Sequence, residues 1–152
     1  MKIQHIILLT IAMLITATSC NKEKPFSKKL MKGEKWNVKN ITVNGTSINT
    51  NGIWHITTDV DIYDSVPSVK WIYDNQDAIF EWQFQDKGKT FQLNYVQQKD
   101  EVEGDKLDSL DYITYRLTGK YSATEHKRKS MIFASDSTIG YPNKTVEIFI
   151  EL

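Results

Sequence analysis

Two stretches of this chain, Ala78 to Gln85 and Thr90 to Lys99, alternate apolar and polar side chains with a period of two. In the first, Phe80, Trp82 and Phe84 interleave with Glu81, Gln83 and Gln85. In the second, Phe91, Leu93 and Tyr95 interleave with Gln92 and Asn94. Successive side chains of a strand point to opposite faces, so each stretch predicts a strand with one buried face and one wet face. Asp86-Lys87-Gly88-Lys89 joins them. A loop of that length pairs Gln85 with Thr90, and so Phe84 with Phe91, Trp82 with Leu93, and Phe80 with Tyr95. All three apolar pairs then share a face, and a slip of one residue would scatter them.

The same period governs most of the chain. Trp36 and Val38 share one phase and Ile41 and Val43 the other, which predicts a bulge near Lys39 and Asn40 in a strand from Lys35 to Val43. Asn44-Gly45 is a two-residue hairpin signal. Further strands are expected over Ile53 to Thr58, with an extension toward Tyr63, and over Val69 to Tyr73, Tyr112 to Leu117, Lys120 to Glu125, Ser130 to Ser135 and Thr145 to Leu152. Asp74 to Asp77 is expected to turn, and Gly119 to kink one strand into the next. Phe26 to Met31 predicts one helical turn, ended by Gly33. Eight or nine strands with short links predict an all-β, antiparallel up-and-down meander. Pairing of the last strand with the first, near Trp36, closes it into a barrel and removes its edges.

The N-terminus carries an address. Lys2 precedes an apolar run from Ile6 to Ile15, interrupted by Thr10, and the small residues Ala17, Thr18 and Ser19 lead to Cys20. That is the layout of a secretory signal, and the run is shorter than the about 20 apolar residues that span a bilayer. Ala17-Thr18-Ser19-Cys20 resembles the lipobox of bacterial lipoproteins, with Ala17 where leucine is usual. The resemblance implies cleavage before Cys20 and acylation of its thiol and new amino group. Cys20 is the only cysteine of the chain and has no internal disulfide partner. The expected plan is a signal peptide over 1–19, a lipidated tether over 20–29 and a barrel over 30–152. The expected location is the bacterial cell envelope, anchored in the outer membrane.

Leu30, Gly33 and Trp36 followed by an antiparallel meander resemble the lipocalin-like domains of small lipoproteins from the Bacteroidetes. The likeness covers about Leu30 to Leu152. Lipocalins have Gly-x-Trp at the first strand, and here Gly33-Glu34-Lys35-Trp36 is one residue longer. The resemblance implies a barrel and transfers no functional residues, since fold does not give function.

Removal of the signal leaves 18 basic residues, the 19 of the whole chain less Lys2, against 19 acidic ones. Overall there is no basic excess to draw nucleic acid or anionic lipid. His55 and His126 are expected as exposed imidazoles, with no serine or acid set beside them as a triad. No metal or cofactor is expected: the two histidines are far apart in a chain with one cysteine, and Asp59, Asp61 and Asp64 lack the glycine of a calcium loop. The 100–108 segment is expected to be an acidic connection. The stripe Phe80, Trp82, Phe84, Phe91, Leu93 and Tyr95 either lines a cavity for a small apolar ligand or fills the core; alternation reads the same in both cases. Ser65, Ser109 and Ser137 follow aspartates in Asp-Ser-x triplets that resemble O-glycosylation acceptors of the Bacteroidetes, although Asp and Ser also form turns. The leading expectation is a noncatalytic, lipid-anchored envelope protein acting through protein contacts. A carrier or sensor of a small apolar ligand comes second, and an enzyme last.

Overall fold

Asn44 and Gly45 take φ values of 49° and 77°, the paired positive angles of a two-residue hairpin turn. They fold β2 (Thr46–Ser47) back onto β1 (Lys35–Val43), with Val43 opposite Thr46. Asp74 and Asn75, at 49° and 61°, make the same kind of turn between β4 (Ser68–Tyr73) and β5 (Gln76–Gln85), pairing Tyr73 with Gln76. The wider turn expected up to Asp77 therefore tightens to two residues, because Asp and Asn tolerate the left-handed region. A third turn, Asp86 to Lys89, leads to β6 (Thr90–Tyr95). Its register pairs Phe84 with Phe91, Trp82 with Leu93 and Phe80 with Tyr95, as the alternation requires.

The structure is a computed structural model that describes residues 23–57, 66–96 and 109–152. The expected signal segment, Cys20, the Asp59, Asp61 and Asp64 cluster, Ser65 and the 100–108 segment lie outside the described residues. With β3 (Gly52–Thr57), β7 (Gly119–His126), β8 (Ser130–Ser135) and β9 (Val146–Glu151), the strands run β1-β3-β4-β5-β6-β7-β8-β9 in antiparallel neighbours. β1 also pairs with β9, Val38 opposite Ile150 and Val43 opposite Val146, so eight strands close a barrel and β2 is an appendage on β1. The register against β9 skips Lys39 between Val38 and Asn40. This bulge lets Trp36, Val38 and Ile41 all face inward despite their change of phase.

Two helices sit at opposite ends of β5. α1 (Glu23–Gly33) has 11 residues, about three turns rather than the expected one. It packs on the Asp86 end of β5 and buries Leu30. The backbone reverses at Glu34, with φ of 54°, rather than at Gly33. Gly33 has a different task. A Cβ there would lie 2.3 Å from Nε1 of Trp36 and 2.7 Å from a methyl group of Leu152. Only a bare Cα lets that indole slide beneath the helix end, where Nε1 donates to the Leu30 carbonyl at 2.9 Å. The bond satisfies one of the carbonyls that a helix C-terminus leaves open.

At the other end, the strand expected from Tyr112 to Leu117 is a helix, α2 (Leu110–Arg116). Tyr, Ile and Thr favour strands, but the segment also carries Leu110, Ile113, Thr114 and Leu117 at helical spacing. Ser109 caps the helix, its Oγ accepting from the Tyr112 amide at 3.2 Å. Gln76 Oε1 accepts from the Leu110 amide at 2.7 Å, tying α2 to the start of β5. Leu110, Thr114 and Leu117 are buried, so the helix closes this end of the core. Gly119 consequently opens β7 instead of kinking two strands together.

Gly33→Ala is expected to lower stability by about 1–3 kcal/mol, the usual cost of overpacking. Urea unfolding should show a lower midpoint at unchanged slope.

Candidate functional site

Alternation on eight strands projects one side-chain set into the barrel. Phe80, Trp82, Phe84, Phe91 and Leu93 are buried there. Tyr95 is half-buried beside α2, its ring edge-on to Tyr115 at 6.1 Å. The structure brings the first five together and leaves Tyr95 at the rim. Residues outside the expected stripe complete the interior. Phe91 stacks on Phe133 at 4.2 Å, and Trp54 meets Phe80 edge-on at 4.9 Å and Trp71 at 6.2 Å. Trp82 lies edge-on to Phe84 at 6.0 Å and parallel to Phe91 at 6.3 Å. Offset and edge-on geometry at these distances is favourable beyond the burial of apolar area. Trp54 and Phe133 carried the signal that would have included them, since each heads an alternating pair with Ile56 or Met131.

The four indoles differ in how their N–H groups are met. Trp36 Nε1 donates to Leu30, and Trp71 Nε1 donates to the Asn51 carbonyl at 2.8 Å. Trp54 Nε1 and Trp82 Nε1 are buried with no acceptor among the described residues. Buried indole N–H groups normally find one. These two are unmet polar points in a largely apolar interior.

Polar chemistry gathers at the α2 end of the barrel. Burial pushes the Asp111 carboxyl above the usual carboxylate range; a hydrogen bond from Tyr95 opposes this and the charge of Asp77 adds to it. The Tyr121 phenol is pushed far above its ordinary value by burial, and its hydroxyl donates to the Leu117 carbonyl at 2.5 Å. Arg116 lies over the Tyr141 ring at 4.2 Å and donates to the Gly140 carbonyl at 3.3 Å. These groups fasten α2 to the barrel, and no nucleophile is joined to a base among them.

The histidines part company. His55 is half-buried on the outer face of β3, opposite Lys35 and Lys70 in register. His126, expected as an exposed imidazole, is also half-buried; its ring stacks on Phe26 of α1 at 3.6 Å and 13°. The correction is tertiary: the end of β7 meets α1, so the His126 ring lies against Phe26, with the Phe84 ring at 5.8 Å. Ser109 spends its hydroxyl on the α2 cap, and Ser137 is exposed in the turn after β8. Among the described residues, no three His, Cys, Asp or Glu side chains converge as a metal site, and no helix is long and apolar enough to cross a membrane.

No family model matches this sequence, and no curated protein sequence matches it. Among solved structures, the chain is similar to Japanin from Rhipicephalus appendiculatus bound to cholesterol, with a TM-score of 0.45 and 7% identity over 78% of this chain and 74% of that one. The barrel itself is established by the strand pairing and the β1–β9 closure of this chain.

Asp111 titrates in a known direction. Its folded pKa lies above the unfolded one, so the fold holds this proton more tightly, and that stabilisation is lost as pH rises through the carboxylate range. The melting temperature of Asp111→Asn relative to the parent should therefore become more favourable to the variant between acid and neutral pH. Paired thermal scans across that range check it.

Proposed function

We propose that this chain is a noncatalytic, lipid-anchored protein of a bacterial envelope, acting through protein contacts made by the outside of the barrel. One observation carries the reading. Trp36, Trp54, Trp71, Trp82, Phe80, Phe91 and Phe133 are all less than 2% exposed, and all but Trp36 pack ring against ring, which supports an interior used as core. The outer wall is then the working surface. Ile53 and Ile72 lie directly opposite one another on β3 and β4, each 37% exposed, and give that wall an apolar spot. The anchor rests on Cys20 and its lipobox-like setting, the lineage on the lipocalin-like pattern, and the outer membrane is the proposed location.

The second reading, a carrier of a small apolar ligand, is favoured by the two buried indole N–H groups without acceptors. A mostly apolar molecule with one or two acceptor oxygens would satisfy them, and its entry would require the aromatic packing to part.

Native mass spectrometry of the protein purified gently from its own host separates the two. The contact reading expects a polypeptide mass with acyl groups alone, together with crosslinks to a partner that the exposed pair Ile53→Lys and Ile72→Lys abolishes while the barrel stays folded. A stoichiometric small-molecule adduct, weakened about tenfold by Trp82→Phe through loss of one N–H bond, would replace it with the carrier reading. Cys20→Ser should remove the acyl mass and release the protein from the membrane fraction; an unchanged mass would sink the anchor.

A further inference from the structure

The chain has no net charge, but its folded form does not spread that balance evenly. At the α1 end of the barrel, α1 and the β7–β8 turn enclose an open cleft of about 630 Å³ whose lining includes Lys28, Lys29, Lys32, Arg128 and Lys129. These five side chains are cations, and no other side chain of the lining is acidic. The sequence offers them as two separate clusters, Lys28-Lys29 with Lys32 and Arg128-Lys129, about a hundred residues apart. The barrel closure brings them to one mouth.

Local pairing leaves the charge available. Among the described residues the ion pairs are Lys39 with Glu151, Lys70 with Asp77, and Lys127 with Glu125, so none of the five cleft cations is in one. Glu125 is the nearby counter-charge. Its carboxyl is held below the usual range by hydrogen bonds from Lys127 and then Ser130, so it is already engaged, although it also attracts Lys29. Burial pushes the Lys29 ammonium below its ordinary value despite Glu125. Gathering like charges without partners costs folding energy, and an anion seated among them would recover it.

The shape and chemistry of the cleft narrow the class. Its volume falls within the roughly 300–1,000 Å³ of small-molecule sites. Arg128 offers a planar fork suited to two oxygens of one anion, and the lysines surround it as point charges. Pro25, Gly33, Leu152 and the lysine stems add apolar surface. A multivalent oxyanion with an apolar extension fits this combination better than a simple halide or a bare carboxylate. The cleft also adjoins the start of α1. Glu23 follows Cys20 by three residues, a chain that spans at most about 11 Å. That last point rests on the anchored reading above; the charge and shape do not.

We propose that this cleft binds a phosphoryl group, that of an anionic phospholipid headgroup or of a soluble phosphate, through Lys28, Lys32 and Arg128. Bound as a headgroup, it would set the barrel with its α1 end against the membrane.

The test is calorimetric titration of the full chain in neutral detergent with three probes: short-chain phosphatidylglycerol, phosphatidylcholine of the same chain length, and inorganic phosphate. The proposal expects the anionic lipid to bind at least about tenfold more tightly than the zwitterionic one, in keeping with the effect of a few basic residues at an anionic headgroup. The combined variant Lys28→Glu, Lys32→Glu and Arg128→Glu should erase that preference. All three side chains are exposed, so the strand signal in circular dichroism should persist. Lys120→Glu, an exposed charge reversal on the barrel wall, should change nothing. Inorganic phosphate binding far more weakly than the lipid assigns the site to a headgroup; equal binding assigns it to a soluble phosphate. Equal affinity for both lipids without phosphate binding, or equal losses in Lys120→Glu and the combined variant, would overturn the proposal. Short-chain probes need no anchor, so failure here is distinct from failure to find acyl groups on Cys20.

Discussion

Closure of β1 on β9 is the constraint on which the molecule depends. An open meander would leave two long edges with unpaired backbone groups and its aromatic face open to water. The closing seam runs from Asn37 opposite Glu151 to Val43 opposite Val146. It includes the Lys39 bulge, without which Ile41 would turn outward. The seam is seated from the side by Trp36, whose indole lies against Gly33 and bonds to Leu30 at the end of α1. The N-terminal helix is thus part of the closure. That gives a physical reason for a glycine at position 33 that has nothing to do with ending a helix.

Once closed, the barrel has an interior crowded with rings, including four tryptophans. Large rigid side chains bury much area at small entropic cost, and a chain without an internal disulfide relies on them for its stability. The uneven treatment of the indole N–H groups is informative. Two are met by backbone carbonyls, one at the end of α1 and one in the loop before β3; two have no acceptor among the described residues. The polar chemistry is pushed to the ends and outer wall of the barrel. The aromatic stripe, the most suggestive pattern in the sequence, is buried and packed in this structure, and the outer surfaces of the barrel become the places to look for recognition.

Charge shows the same division between list and arrangement. A balanced count argued against attraction to anionic lipid or nucleic acid. The count is right, yet cations from α1 and from the β7–β8 turn meet at one mouth. A net charge is a sum, but a ligand responds to the local field.

Alternation by itself determined the β5–β6 register, the inward faces of β1, β8 and β9, and the bulge between Val38 and Asn40, because a strand's period of two leaves one register that buries every apolar residue. Asn44-Gly45 likewise dictated its turn, since few residues accept paired positive φ. Tertiary structure decided the rest. Residues 110–117 satisfy both a strand and a helix pattern, and the Ser109 cap, the Gln76 bond and the open barrel end chose the helix. His126 is half-buried because the end of β7 meets α1 and Phe26 lies upon it. The basic cleft exists only because closure brings distant segments together. Local periodicity reports which face of an element is apolar; it carries no information on what that face, or its ends, will meet.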